Sequence, residues 1–466
     1  MEKLSILLIL VFSMFLCGTL RTFAQPEVND ATSPLHLMQP QYDSPYGIPQ
    51  NDSIIEVLER IHGYLQVVTP AKLIDVDTGS EVTNFNKLDN VEHLAFGKGD
   101  FRLISYEWGV TYAGMLQAGE ATGNPQFTAY TNERLGFLAD LYPKLVKWGK
   151  GKDGMANPIH SVIQPKALDD AGAICAAMIK AKRNGSKADL DPMINNLIDY
   201  ISHGQMRLPD GTLARNRPMK NALWLDDLFM SVPALAQMGA YTGQQKYFDD
   251  ATKQVLQFSD KMFVKEKGFF MHAYIGDMQV HPEFFWGRAN GWAIMTMVEL
   301  LEVLPTSHQN YDKVLHLLRN HIAGLAKVQS PKGLWHQLLD RNDTYLETSA
   351  TAIFTYAIAR AINKGYVDAK AYGPMVCLAW NALAEQINPK GQVGGTCVGT
   401  GMGFDPAFYA YRPVSVYAAH GYGPVLLAGA EMILLLKNTY PKMNDSALQF
   451  YDEPINTDTP IFSVDE

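Results

Sequence analysis

A glycine preceded by a charged residue punctuates this chain at nearly constant intervals. It stands in KDGM at Gly154, PDGT at Gly211, EKGF at Gly268, PKGL at Gly333 and PKGQ at Gly391, separated by 57, 57, 65 and 58 residues. A charged residue followed by glycine is turn chemistry, because glycine accepts positive φ at little cost. Each turn follows a helical pattern such as YDKVLHLLRNHIAGLAKVQ and precedes another such as ETSATAIFTYAIARAI. A second echo, ATGNPQF at 121–127 and YTGQQKYF at 241–248, links two helical runs in the same way. Two helices per period of about 60 residues is the signature of stacked helical hairpins, and the chain has room for about six. An open solenoid and a ring closed by contact between first and last hairpins both fit that count. Closure is favoured, since an open array needs polar capping repeats and none is visible. The expected class is all-α.

The flanks read differently. Residues 1–24, with Lys3 ahead of the apolar stretch Leu4–Leu20 and TFA before Gln25, have the layout of a secretory signal. Residues 25–52 and 441–466 read as a polar extension and a polar tail around one domain at 53–440. Export to the periplasm is the expected location. Net charge is −9, which gives nucleic acid or an anionic membrane no electrostatic hold. No segment after the signal reads as a membrane span. Cys175, Cys377 and Cys397 are too scattered for a disulfide framework or a zinc site. No HExxH-like histidine pair occurs, so neither metal nor cofactor is expected.

Polar residues recur at one phase of the repeat. Asp169 and Asp170 follow Gly154 by 15 and 16 residues, and Asp226 and Asp227 follow Gly211 by the same steps. Trp286 and Arg288 lie 18 and 20 beyond Gly268, and Glu347 lies 14 beyond Gly333. In a closed ring that phase maps to one rim, as for a site assembled from several hairpins. Successive helical residues diverge by about 100°, so Asp226 and Asp227 cannot face one sugar ring together. One is expected to enter the mouth while the other pairs or caps. In HPEFFWGRANGW, Trp286, Arg288, Asn290 and Trp292 alternate aromatic and polar groups. Aromatic faces stack on pyranose rings, and a guanidinium grips a carboxylate. His272 in FFMHAY and His336 in GLWHQLLD sit beside turns and add hydrogen-bonding candidates.

On LDDAG, LWLDDLFMSVPALAQMG, MHAY, PEFFWGRANGW, GLWHQLLD, YLETSATAIF and HGYGPVLLAGAEM, between about residues 100 and 435, the chain resembles the unsaturated glycuronyl hydrolases of glycoside hydrolase families 105 and 88, the first more closely. The resemblance implies an (α/α)6 barrel of six helical hairpins. It implies an enzyme that takes a 4,5-unsaturated uronic acid, galacturonyl or glucuronyl, from the non-reducing end of oligosaccharides left by polysaccharide lyases. Matched residue by residue, Asp226 is the general acid and base, and Asp170 is the second aspartate. Trp286, Arg288 and His272 line the uronate pocket, and Trp108 in YEWGVTYAGM is a further platform. The implied chemistry is proton transfer to C4 of the double bond, then attack of water at C5. An apolar setting of Trp224, Leu228 and Phe229, with like charge from Asp227 and Asp170, predicts a raised pKa for Asp226.

The chain departs from the family at TLARNRP, where an aromatic–His–basic cluster is usual, so Arg215 and Arg217 are expected to meet an anionic or sugar group of the aglycone. Two other readings stay open on the residues alone: an ordinary inverting glycosidase using Asp170 and Asp226, and a glycan-binding protein without catalysis. The sequence carries no signal for an oligomeric state.

Overall fold

A computed structural model describes residues 42–88, 91, 93–149, 157–278, 281, 283–443 and 448–454. The signal-like residues 1–24 and the turn at Gly154 lie outside them. The larger unit comprises Ser44–Lys442 and Leu448–Ile455. It is built on twelve long helices: α1 (Asn51–Val68), α2 (Tyr106–Thr122), α3 (Pro125–Leu145), α4 (Leu168–Arg183), α5 (Asp191–Asp199), α6 (Val232–Thr242), α7 (Gln245–Met262), α8 (Gly287–Val303), α9 (Tyr311–Ala326), α10 (Thr348–Asn363), α11 (Ala369–Ala384) and α12 (Tyr422–Asn438). The even-numbered helices pack on one another in the cycle α2–α4–α6–α8–α10–α12–α2, and each odd-numbered helix backs one of them. Five hairpins are consecutive in the chain; the sixth pairs α12 with α1. This is the closed (α/α)6 ring.

Burial separates the two layers. All but one or two residues of α8 and α10 are buried, whereas α7 and α9 bury one stripe each. Inner helices touch neighbours on several sides, so their sequences are apolar all round; outer helices carry the amphipathic pattern. Close approach at the inner layer needs small residues: a Cβ on Gly172 of α4 would lie 1.8 Å from the carbonyl oxygen of Met230. Helix α12 with the turn ahead of it, Ala419–Asn438, meets the length and composition of a membrane span, contrary to the sequence reading, but 83% of its apolar window is buried inside the ring. Its apolarity is that of a core helix.

Gly211, Gly268, Gly333 and Gly391 all have positive φ, between 77° and 90°. Gly123 and Gly243 close α2 and α6 with φ of 73° and 70°, each amide donating to the carbonyl four residues earlier. Gly391 is the tightest of the four turns, since an added Cβ would meet the Arg60 carbonyl oxygen at 2.1 Å. Gly123 has open space around it. Gly391→Ala is therefore expected to cost clearly more than Gly123→Ala, which carries only the left-handed penalty of about 1–2 kcal/mol. Urea unfolding of the two variants checks this; equal losses contradict the clash.

The ordered unit reaches further than the polar flanks suggested. Helix α1 starts at Asn51, within the expected extension, and Asn381 Nδ2 donates to the carbonyls of Pro45 and Gly47 at 2.7 and 3.0 Å. In the expected tail, Leu448 and Phe450 are buried. Composition averaged over a flank hides two such apolar anchors.

The inner helices run the same way, so their amino ends gather at one rim. Their carboxyl ends are held by ion pairs, Arg360 with Glu431 at 2.7 Å and with Glu302, and Lys180 with Glu299. Cations there oppose the negative helix ends. The amino rim, with its positive ends, carries the sequence-expected polar residues.

Candidate active site

Asp226 and Asp227 lie just ahead of α6 in a single 3₁₀ turn, Leu225–Leu228, rather than within an α-helix. Pro233, in the first turn of α6, starts the helix where its missing N–H costs nothing, and leaves the aspartates in the preceding turn. With three residues per turn, neighbours diverge by about 120°. The two carboxyl groups accordingly part company.

Asp227 is fully buried, and Arg215 Nε donates to both its oxygens at 2.9 Å. The same guanidinium donates through NH1 and NH2 to Asp169, at 2.8 and 3.1 Å. Burial alone would lower the Arg215 pKa, but Asp227 first and then Asp169 raise it, so it stays charged. Arg215 was expected on the aglycone; its fork is instead spent inside the protein. Arg217 remains 63% exposed, with an ion pair to Asp169 at 3.3 Å and its guanidinium over the Trp224 ring at 5.9 Å.

Asp226 keeps 15% of its side chain exposed. Its segment is held by an antiparallel ribbon of β1 (Ala222–Trp224) and β2 (Ala273–Ile275), extended by the Leu225 amide donating to the His272 carbonyl at 2.9 Å. That pairing brings His272 Nε2 to 3.1 Å from Asp226 Oδ2. The other ring nitrogen, Nδ1, is 2.7 Å from the Tyr409 hydroxyl, which also accepts from the Gly403 amide at 3.0 Å. The arrangement assigns a tautomer: Tyr409 donates to Nδ1, and Nε2–H donates to the Asp226 carboxylate. Burial pushes the Asp226 carboxyl up, but the His272 hydrogen bond, helped by the charge of Arg215, holds it below the usual carboxylate range. The sequence predicted the opposite sign, because helical periodicity showed the apolar neighbours and not the histidine 46 residues away.

The remaining expected residues divide. Trp286 is 1% exposed, with its ring 4.7 Å from that of His272, and Arg288 lies over it at 4.6 Å. Arg288 donates to the carbonyls of Cys397 and Val398, both at 2.7 Å, and to Ser349 at 3.3 Å. Main chain and Ser349 accept from both terminal nitrogens, which holds the buried guanidinium in a fixed orientation. Glu347 caps α10 through the amides of Ser349 and Ala350 and accepts from Cys397 N at 2.8 Å, anchoring the same loop. Trp292 stacks on Phe229 at 5.0 Å in the core. His336 bonds to the Thr344 carbonyl within the hairpin of β3 (Trp335–His336) and β4 (Leu346–Glu347). Asp170 accepts from the Lys166 amide at 2.9 Å, a cap on its own helix. Among the described residues no contact joins it to Asp226; Asp169 is the aspartate tied to the Asp226–Asp227 turn. Trp108 is fully buried, donates to the Tyr130 hydroxyl at 3.2 Å and stacks on Phe101 at 4.8 Å.

Sequence reasoning missed Tyr409 and a second cluster at the rim. The Tyr106 hydroxyl lies 2.6 Å from His420 Nε2, and Glu107 Oε1 lies 3.5 Å from the same nitrogen. Tyr106 and Glu107 directly precede Trp108 in YEWG, and His420 opens HGYGP; both motifs had been noted for other residues. Two adjoining cavities, of about 710 and 510 Å³, share Phe96, Arg102, Ser105 and Glu107. The smaller is bordered by Tyr106, Asp169, Asp170 and Arg217, the larger by Trp108 and His420. Among the described residues no group of three His, Cys, Asp or Glu side chains is placed to hold a metal ion.

A family model described as Glycosyl Hydrolase Family 88 matches residues 74–436. An unsaturated rhamnogalacturonyl hydrolase of Bacillus subtilis is 25% identical over 346 residues, covering 72% of this chain and 92% of its own. An unsaturated 3S-rhamnoglycuronyl hydrolase of an Alteromonas species is 30% identical over 216 residues, 45% of this chain and 51% of its own length. A crystal structure of a possible member of the GH105 family from Salmonella enterica superposes with a TM-score of 0.65 at 23% identity, over 88% of this chain and 99% of that one.

Proposed function

The chain belongs to glycosyl hydrolase family 88, and from that premise we propose that this glycoside hydrolase removes a 4,5-unsaturated uronic acid from the non-reducing end of lyase-generated oligosaccharides. Asp226 protonates C4 of the enol ether, positive charge builds at C5, and the carboxylate then takes a proton from the water that attacks C5. The hemiketal so formed opens and releases the aglycone. The observation that carries this reading is the division of labour in one turn: Asp227 is neutralised by Arg215, while Asp226 is partly open and oriented by His272. One carboxyl group is free to move a proton; the other is not. The amino ends of the inner helices around it favour an anionic sugar. Names carried by the relatives, an unsaturated rhamnogalacturonyl and an unsaturated 3S-rhamnoglycuronyl hydrolase, support the unsaturated uronyl end and a rhamnose aglycone.

The depressed Asp226 carboxyl must gain a proton in the complex. An unsaturated uronate beside it supplies like charge, which raises a carboxyl pKa. Because the acid form starts the reaction, rate falls as pH rises through that pKa. The falling limb of kcat is therefore expected at higher pH than that of kcat/KM, since the two report bound and free protein. His272→Ala removes the hydrogen bond that most lowers the Asp226 carboxyl, so the kcat/KM limb moves to higher pH. A limb that stays in place or moves down refutes the proton shuttle through this pair.

The functional test is a paired assay. An unsaturated uronyl disaccharide should lose its ultraviolet absorbance on turnover, while its saturated counterpart should be inert. Equal cleavage of both would establish an ordinary glycosidase instead.

A further inference from the structure

We propose that the 710 Å³ cavity is the aglycone subsite, in which Glu107 reads sugar hydroxyls and Tyr417 is the stacking platform. This rests on the function proposed above. The volume falls in the ~300–1,000 Å³ span of small-molecule sites, and the cavity adjoins the one bordered by Tyr106 and Asp169. Asp169, on the wall of the smaller cavity, is joined through Arg215 to Asp227 in the catalytic turn, so the uronyl end belongs on that side and the next sugar in the larger space. Two features of its wall call for a ligand rich in O–H donors. Glu107 is 91% buried, and its Oε2 has no hydrogen-bond partner; Nδ1 of the buried His420 has none either. Burial and the charge of Arg288 hold His420 well below its ordinary pKa, so no imidazolium compensates the carboxylate. A buried acceptor left without donors is costly, and a pyranose supplies the missing hydroxyls. At the rim, Tyr417 is 61% exposed, a large aromatic surface of the kind that stacks on a sugar face.

The test compares two substrates: an unsaturated uronyl–rhamnose disaccharide, and the methyl glycoside of the same uronate, which leaves the cavity empty. Glu107→Gln is expected to raise KM for the disaccharide about tenfold with little change in kcat, and Tyr417→Ala about three- to tenfold. For each variant KM for the methyl glycoside should change less than twofold. Tyr417 is exposed, so that variant keeps its fold even if Glu107→Gln does not. Equal losses on both substrates, or no loss on either, overturn the assignment. Should the wild type hydrate neither substrate, the functional reading fails, and calorimetry with saturated methyl rhamnoside decides the cavity separately. Weaker binding by Tyr417→Ala than by wild type upholds it; binding that is absent or unchanged sinks it.

Discussion

Asp226→Asn lowers kcat on an unsaturated uronyl disaccharide by about 10²–10⁴-fold while leaving the unfolding midpoint close to that of the wild type. The rate loss is the usual worth of general acid–base participation, about 3–5 kcal/mol of barrier. Asparagine keeps the shape of the side chain and can accept from His272 Nε2, now 3.1 Å from Asp226 Oδ2, so the tautomer chain through Tyr409 persists. It cannot carry the proton. Steady-state absorbance assays and thermal unfolding together check this, and a variant retaining a tenth of the activity would remove Asp226 from the chemistry.

Arg215→Ala should show the reverse profile, a loss of stability of about 3–5 kcal/mol. The substitution leaves Asp227, with no exposed surface, without its counterion and leaves Asp169 without two donors. The cost comes from the stranded charge more than from the lost attraction, so Asp227→Asn in the same background should recover much of it. Urea unfolding of the two single variants and the double variant gives the coupling. A loss under about 1 kcal/mol for Arg215→Ala would mean that water reaches Asp227 and the pair is not structural.

Much of the fold was legible because its signals are local. A turn glycine must have positive φ wherever it sits, and Gly211, Gly268, Gly333 and Gly391 all do. The phase of Asp226, Trp286 and Glu347 within the repeat likewise placed them at one rim. What stayed hidden depends on contacts between rim loops that only ring closure creates. Arg215 meets Asp169 across 46 positions, and Tyr106 meets His420 across 314. Periodicity has nothing to say about either pairing. Arg288 shows the same limit: its place in the repeat was visible, but not the loop at Cys397 and Val398 that folds back and accepts from it. Asp169 and Asp170 could not be told apart for a similar reason: both border the smaller cavity, and only the distant Arg215 marks Asp169 as the one tied to the Asp226–Asp227 turn.

The pairing of α1 with α12 constrains the order of events during synthesis. Leu58 of α1 packs where Gly429 of α12 lacks a side chain, and that surface does not exist until the ribosome has made nearly the whole domain. Five hairpins can stack as they emerge, but the seam between α2 and α12 seals only afterwards. Until then both edges of the growing arc expose apolar helix faces, the condition under which nascent chains associate wrongly or call on chaperones.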